Sequence, residues 1–388
     1  MSRRTVLALT FSLFIGSISG AAHAAEAPDQ SYAPVYDGPH VLPLVRAPGL
    51  PADFSWSGNF MNDTNLVLRK YGWYLAEMVV FVDASGQVRD VLLTESIPAK
   101  NLSATIVDEL RRKTWTPADG PSGPVPGQSR FRIVYDLQQS KKSLGAVAGE
   151  LRRNARSGKP SSQYLLSRVM KSSVGINREG FDVDTLLRQA AEGGERRAML
   201  AIGSAAPDDD DTPEADRPTE LAHNRAWLLK AAHAGSGTAQ LLVALHSWAE
   251  GTDAGYARAR HWLESANQTK EPAAAKYLAA LLVSHSSNPE DWKQARRLAE
   301  SASQEWHDRS DPDTLQIVAA ASALTGDFKA AIEAQTNAMA LAGKAGWSIT
   351  AFETRLAAYQ SSRTVTDDIV MIPVISRDEL QKKTRKKS

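Results

Sequence analysis

Residues 78–96 read MVVFVDASGQVRDVLLTES, residues 101–119 NLSATIVDELRRKTWTPAD and residues 130–137 RFRIVYDL. The first stretch opens on Met78 to Val82, an apolar run of the β-branched and aromatic residues that strands favour. Asp83-Ala84-Ser85-Gly86 ends it as a hairpin turn, because glycine accepts the positive φ that closes such a loop, and Val88 to Leu93 returns along the first run. Leu102, Ile106, Val107 and Leu110 recur at helical spacing, which predicts a helix able to cover one face of the hairpin. Arg111, Arg112 and Lys113 fall in its last turn, where cations suit the helix dipole. In the third stretch Phe131, Ile133, Tyr135 and Leu137 alternate with Arg130, Arg132 and Asp136. That pattern predicts a strand with one buried and one largely wet face, as expected of a sheet edge.

Strand, turn, strand, helix, Trp-x-Pro-Ala, strand is a cadence that resembles the C-terminal domain of the TonB family over residues 66–137. Val79, Phe81, Asp83, Gly86 and Val88 match the family's V-x-F-x-V-D-x-x-G-x-V pattern, and Trp115, Pro117 and Ala118 match its F-x-P-A with Trp in the aromatic place. Upstream the chain departs from the family: Tyr71-Gly72-Trp73-Tyr74 stands where Pro and Gly are common. The resemblance implies a binding module rather than a catalyst. In that family the partner is the N-terminal box of an outer-membrane transport receptor.

After Leu137 the text becomes alanine-rich and repeats. Ala155-x-x-Gly158-x-x-x-Ser162-Gln163-Tyr164-x-Leu166 returns as Ala191-x-x-Gly194-x-x-x-Ala198-Met199-Leu200-x-Ile202, and again as Ala232-x-x-Gly235-x-x-x-Ala239-Gln240-Leu241-x-Val243. Offsets of this size indicate stacked helical hairpins, with glycine in the left-handed position that closes a helix and alanine allowing the next helix to approach. The pattern resembles the Sel-one-like branch of the tetratricopeptide repeats over residues 145–345, in about five units. The run from Gly326 through Ala338 resembles a tetratricopeptide second helix with Gln335 where an aromatic is usual. Trp227, Trp248, Trp262, Trp292 and Trp306 read as packing between repeats, or else as anchors in the groove of the array.

The 388 residues suffice for two domains, each with its own core, and 43% hydrophobic with 23% charged residues is ordinary globular composition. A formal net charge of +1 argues against nucleic acid as partner. The absence of cysteine excludes disulfides, thiol nucleophiles and Cys-ligated zinc. Residues 1–24 carry two arginines, an uncharged run and Ala22-His23-Ala24, and so predict a signal peptide cleaved after Ala24. The alternative is an uncleaved inner-membrane anchor over residues 6–25. Residues 25–60 hold Pro28, Pro34, Pro39, Pro43, Pro48 and Pro51 and read as an extended segment against the first domain, and residues 363–388 as a basic tail.

No His-Glu-x-x-His, phosphate loop or dinucleotide fingerprint occurs, and neither His223 with His233 nor His233 with His246 has the spacing that puts two ligands on one helical face. Asp208 to Asp211 lack the glycine turn and distal glutamate of a calcium loop. The expectations are therefore an α+β domain (residues 61–140), a small three-stranded antiparallel sheet with a packed helix, followed by an all-α domain (residues 141–362), an α-solenoid of helical-hairpin repeats. The expected function is that of a periplasmic, non-enzymatic scaffold without cofactor, metal, nucleic acid or small-molecule substrate. Its partner is a protein or extended peptide of the cell envelope, added as a strand to the open edge of the third strand. The outward side chains Arg130, Arg132, Val134 and Asp136 supply selectivity. Two rival readings stand beside it: a membrane-anchored energy transducer of TonB type, and an enzyme whose site lies on the concave face of the repeats.

Overall fold

The computed structural model describes residues 41–43, 49–50, 70, 73–97, 103–120, 123–136, 144–172, 180–205, 217–305, 311–370 and 374–376. The expected leader, most of the proline-rich stretch, the acidic run Asp208 to Asp211 and Trp306 lie outside them. The chain is mixed α/β, with a small three-stranded antiparallel sheet and many helices.

The sheet consists of β2 (Trp73–Val82), β3 (Val88–Ile97) and β6 (Gly127–Asp136), in the order β3-β2-β6. β2 and β3 form the hairpin, whose turn is built by Asp83: its Oδ1 accepts hydrogen bonds from the amides of Ser85 and Gln87. Gly86 stands at φ +86, and a Cβ there would lie 2.2 Å from the Trp115 carbonyl oxygen, so the position demands glycine twice over. β2 is longer than Met78 to Val82 because Trp73 to Glu77 continue the strand. Against β3 the register slips between Glu77 and Met78 and again between Phe81 and Val82. The second slip leaves Arg89 opposite no residue, since Phe81 faces Asp90 and Val82 faces Val88.

Helix α1 (Ser103–Arg111) lays Ile106, Val107 and Leu110 on one face of the sheet, against Tyr74, Ala76, Met78, Val80 and Val82. Trp115 closes that layer, edge-on to Phe131 with ring centroids 5.9 Å apart. Leu50 packs against the same cluster and Gly49 pairs with Thr116. A small hairpin, β4 (Ala118–Gly120) with β5 (Gly123–Val125), leads into β6.

The helices that follow fall into consecutive pairs, each packed on its neighbours in sequence: α2 (Leu144–Arg156) with α3 (Pro160–Ser172), α4 (Val183–Glu192) with α5 (Arg196–Gly203), and α6 (Arg217–His233) with α7 (Gly237–Ala249). Next come α8 (Asp253–Gln268) with α9 (Ala274–His285), α10 (Pro289–Glu305) with α11 (Pro312–Leu324), and α12 (Phe328–Lys344) with α13 (Thr350–Gln360). Gly158, Gly194 and Gly235 all have φ between +76 and +89, and each opens the link between the two helices of a pair. After each, the next amide reaches back to a carbonyl five residues earlier, as Ser236 does to Ala231, which satisfies the orphan carbonyls of the helix end. At the matching place between α8 and α9 the left-handed residue is Lys270, φ 60. Trp227, Trp248 and Trp262 are buried in the repeat core. Gln335 is fully buried and donates to the Phe352 carbonyl at 3.0 Å, so an amide takes the place expected of an aromatic.

The second members of the pairs carry the decisive packing. α7 and α9 are buried along nearly their whole length, as their almost uninterrupted apolar text requires. They are buried because the sheet lies on them. Trp73, Leu75 and Ile97 share a core with α2 to α5, while Val79, Phe81 and Leu92 share one with α7, α9 and α11. That face of the sheet is thus covered by helices over β2 and β3, and β2 is buried on both sides, while on β6 the Arg130 and Arg132 side chains of the same face stay exposed, as expected of a sheet edge, and Val134 is half-buried. A strand buried on both faces reads as a continuous apolar run, which is what Met78 to Val82 shows. Finally β7 (Val374–Ser376) pairs in parallel with β1 (Val41–Pro43) and lies beside β6 and α7.

Candidate functional site

β6 is the terminal strand of the three-stranded sheet. Its whole length pairs with β2, from Trp73 opposite Asp136 to Val82 opposite Gly127, and among the described residues no strand pairs with its other side. A strand paired on one side presents a row of backbone N–H and C=O groups to whatever comes alongside.

The four expected selectivity residues occupy distinct surroundings. Arg130, opposite Val79, is exposed. Arg132 stands opposite Glu77, and its guanidinium bonds that carboxylate, which also pairs with the buried Arg168 of α3. Burial pushes Glu77 up, but the Arg168, Arg132 and Arg130 charges together outweigh it and hold the carboxyl below its usual range. Glu95, facing Glu77 across the ladder, is pushed up by burial. Val134 is half-buried and packs with Trp73 and Leu75 against the first helices of the array. The side chain of Asp136 lies outside the described residues. Alternation along β6 therefore places Arg130, Arg132 and Val134 on one face, where both arginines are exposed and Val134 is half-buried against the helices.

A second constellation joins the sheet to the array, and sequence reasoning did not find it. Asp90 of β3 is buried. Its Oδ2 accepts from Lys276 Nζ at 3.0 Å and from the Tyr277 hydroxyl at 2.9 Å, and its Oδ1 accepts from Arg111 Nη2 at 3.0 Å. Lys276, on α9, also lies 2.8 Å from Asp311 Oδ2, just before α11. Arg89, turned by the bulge, donates from Nη2 to Asp313 Oδ1 at 2.6 Å and lays its guanidinium over the Trp347 ring, 4.4 Å from the centroid. Gln316 donates to Asp313, and Arg355 of α13 donates to Gln316 at 2.7 Å.

Burial pushes Asp90 and Asp311 up, and the Lys276 and Arg111 charges reverse the shift and hold both below the usual carboxylate range. Asp313 is pushed above it by burial, with Asp311 beside it offsetting the pull of Arg89. Burial pushes Lys276 down, yet the surrounding carboxylates hold its ammonium well above its usual value. Arg89, Arg111 and Lys276 against Asp90, Asp311 and Asp313 make three cations to three carboxylates. Each is committed to another, so the cluster has the character of a clasp between sheet and helices rather than of a reactive site, which needs a group left available to substrate.

The described histidines do not converge on a metal site. Burial, and then the nearby Arg225 charge, push His246 down to about 3, so it is neutral at physiological pH. Among the described residues no three His, Asp or Glu side chains come together as metal ligands, and no helix is long and apolar enough to cross a membrane. No family model matches the chain, and no curated protein matches it.

Proposed function

We propose that the chain is a periplasmic binding and scaffold protein. Its TonB C-terminal-like module takes an extended peptide of an envelope partner as a further strand on β6, and a solenoid of Sel-one-like, tetratricopeptide-like repeats carries the module. The observation that carries this reading is the strand order β3-β2-β6, with a ten-residue strand at the end that, among the described residues, is paired on one side only, β7 lying beside it without pairing to it. Both faces of the sheet are covered, one by α1 and the other by the array, so β6 offers lateral growth where face-to-face docking is barred. Main-chain hydrogen bonds supply most of the affinity in such an addition, and the side chains exposed at the edge, Arg130 and Arg132, supply selectivity. The resemblance to the TonB family, in which a receptor segment is bound this way, supports the same role.

The test uses the alternation of an antiparallel strand, whose successive amides point by turns to the neighbouring strand and away from it. Of the adjacent positions Ser129 and Arg130, one directs its N–H toward β2 and the other away. Proline deletes that donor without adding charge. A photoreactive side chain at Gln128 should crosslink an envelope partner in intact cells. One of Ser129→Pro and Arg130→Pro should lose the adduct while the chain stays folded, and the other should lose the fold of the sheet. An adduct of undiminished yield in a folded proline variant at either position moves the binding site away from β6.

A further inference from the structure

The helices that bear the sheet hold a second occupant: the chain's own segment after α13. It leaves α13 through Ser362, which stands at φ 53, and continues through residues 364–370 without helix or strand. Arg355 donates from Nη2 to Asp367 Oδ2 at 2.6 Å and from Nε to Oδ1 at 3.3 Å, and Nη2 also reaches the Asp368 carbonyl at 3.2 Å. Ser284 Oγ donates to the Asp367 carbonyl at 3.3 Å. His285 Nε2 lies 3.0 Å from Asp368 Oδ1, its ring stacked on Tyr256 at 3.7 Å and edge-on to Trp248 at 5.8 Å. Directly after this acidic pair, Ile369 and Val370 are each 5% exposed, within the core shared by Val79, Phe81 and helices α7, α9 and α11.

Further on the chain forms β7, which pairs with β1, but at Asp367 and Asp368 the polar anchors are side chains of the array. The array holds those side chains as well: Arg355 is also bonded to Gln316 of α11, and the His285 ring lies against Tyr256 and Trp248. The segment is gripped as a ligand is, by a charged clamp followed by an apolar slot.

We infer that the groove between the array and the sheet is a peptide-binding site for an extended segment with two adjacent acidic residues followed by two branched apolar ones. Residues 364–370 are its resident ligand, exchangeable for one supplied by another molecule. A tethered ligand acts at an effective concentration of about a millimolar, so a peptide with a Kd of about 10 μM for the empty groove binds the intact chain about 100-fold more weakly.

The probe is a fluorescein-labelled synthetic peptide of residues 364–376. A site-specific protease sequence inserted in the exposed turn at Ser362 lets the full chain be cut after folding and the released segment be removed by gel filtration. The cut chain should bind the peptide about 100-fold more tightly than the uncut one. A peptide carrying alanine for both acids should bind at least 10-fold more weakly. Asp367→Ala with Asp368→Ala in the uncut chain weakens the resident segment and spares the groove, so this folded variant should bind the wild-type peptide at least 10-fold more tightly than the uncut parent. A cut segment that never exchanges with labelled peptide, a body that unfolds when the segment leaves, or an uncut double variant that binds no better than its parent overturns the inference.

Discussion

Replacing Lys276 by Met tests what the buried ionic cluster does. The side chain keeps its length and loses its charge, leaving Asp90 and Asp311 buried without the ammonium that lies 3.0 and 2.8 Å from them. Lys276, Asp90 and Asp311 are each at most 8% exposed at the side chain, so solvent does little to relieve the loss. Removing one partner of such a buried pair costs about 3–5 kcal/mol. The apolar contacts set the comparison: Leu75, Val79, Phe81 and Leu92 are buried against the array, and each such side chain contributes about 1.5–3 kcal/mol. Burial therefore supplies the larger share of the attachment, and the ions fix its register. From this a second expectation follows, that Lys276→Met combined with Asp311→Asn recovers more than half of the single variant's loss.

The pH dependence has a definite sign. In the wild type Asp90 and Asp311 titrate below their unfolded values, so their contribution is complete above the usual carboxylate range and is lost only as pH falls through the depressed values. Without Lys276 the two carboxyls lose the largest charge that opposes burial and titrate higher than in the wild type. Their penalty is then full at pH 7 and shrinks as pH falls, by about 1.4 kcal/mol per unit per carboxyl within the shifted window. Urea unfolding of both proteins at pH 7 and pH 5, followed by tryptophan fluorescence and far-ultraviolet circular dichroism, reads the difference. A loss under about 1 kcal/mol at pH 7, or one equal at the two pH values, refutes the reasoning.

The glycine ends of the repeats give a reciprocal pair. Gly235 and Lys270 hold the same left-handed place in successive units, at φ 81 and φ 60. Gly235→Ala should therefore lower stability by about 1 kcal/mol, and Lys270→Gly should raise it by a similar amount, both read as shifts of the urea midpoint. Loss on Lys270→Gly counts against the assignment. At the α5–α6 crossing a Cβ on Gly203 would lie 2.3 Å from the Leu228 amide nitrogen, so the two backbones are already in contact. Gly203→Ala should cost about 1–3 kcal/mol by forcing them apart, and a thermal midpoint equal to the parent's would mean that the helices have room.

What the sequence made legible was local. The Asp83 to Gly86 turn, the α1 face and the glycines that close repeat helices rest on chemistry within a few residues of themselves, and each carries its own signature. Two things were not visible. The unit formed by α8 and α9 departs from the glycine motif because Lys270 fills a place that glycine fills elsewhere, and no residue pattern announces a strained lysine. The face that carries the exposed β6 arginines is dry over β2 and β3 because helices from residues far along the chain lie on it, and a strand's own alternation cannot say what arrives from elsewhere. A hint was present in the array: α7 and α9 are apolar on every side, and a helix in a simple row of pairs needs only one covered stripe.

The same reasoning bears on the candidate site. Arg132 and Val134 alternate as expected, yet the surface they face belongs to α3 and its neighbours, so their roles are set by Arg168 and by the core around Leu75. What remains at the surface of β6 is backbone, together with Arg130 and the Arg132 guanidinium held by Glu77. The ionic clasp around Asp90 was illegible for a further reason, since Asp90 stands 186 positions before Lys276 and farther still before Asp311, and each alone reads as a surface charge. The bulge links the two sites. By leaving Arg89 unpaired across the ladder it sends a guanidinium to Asp313, from which Gln316 and Arg355 lead to Asp367 of the C-terminal segment. One continuous set of hydrogen bonds thus runs from the sheet that carries β6 to the segment lying in the groove. Release of that segment frees Arg355 and alters the support of Asp313 and Arg89, so occupancy of the groove and the seating of the sheet are energetically coupled.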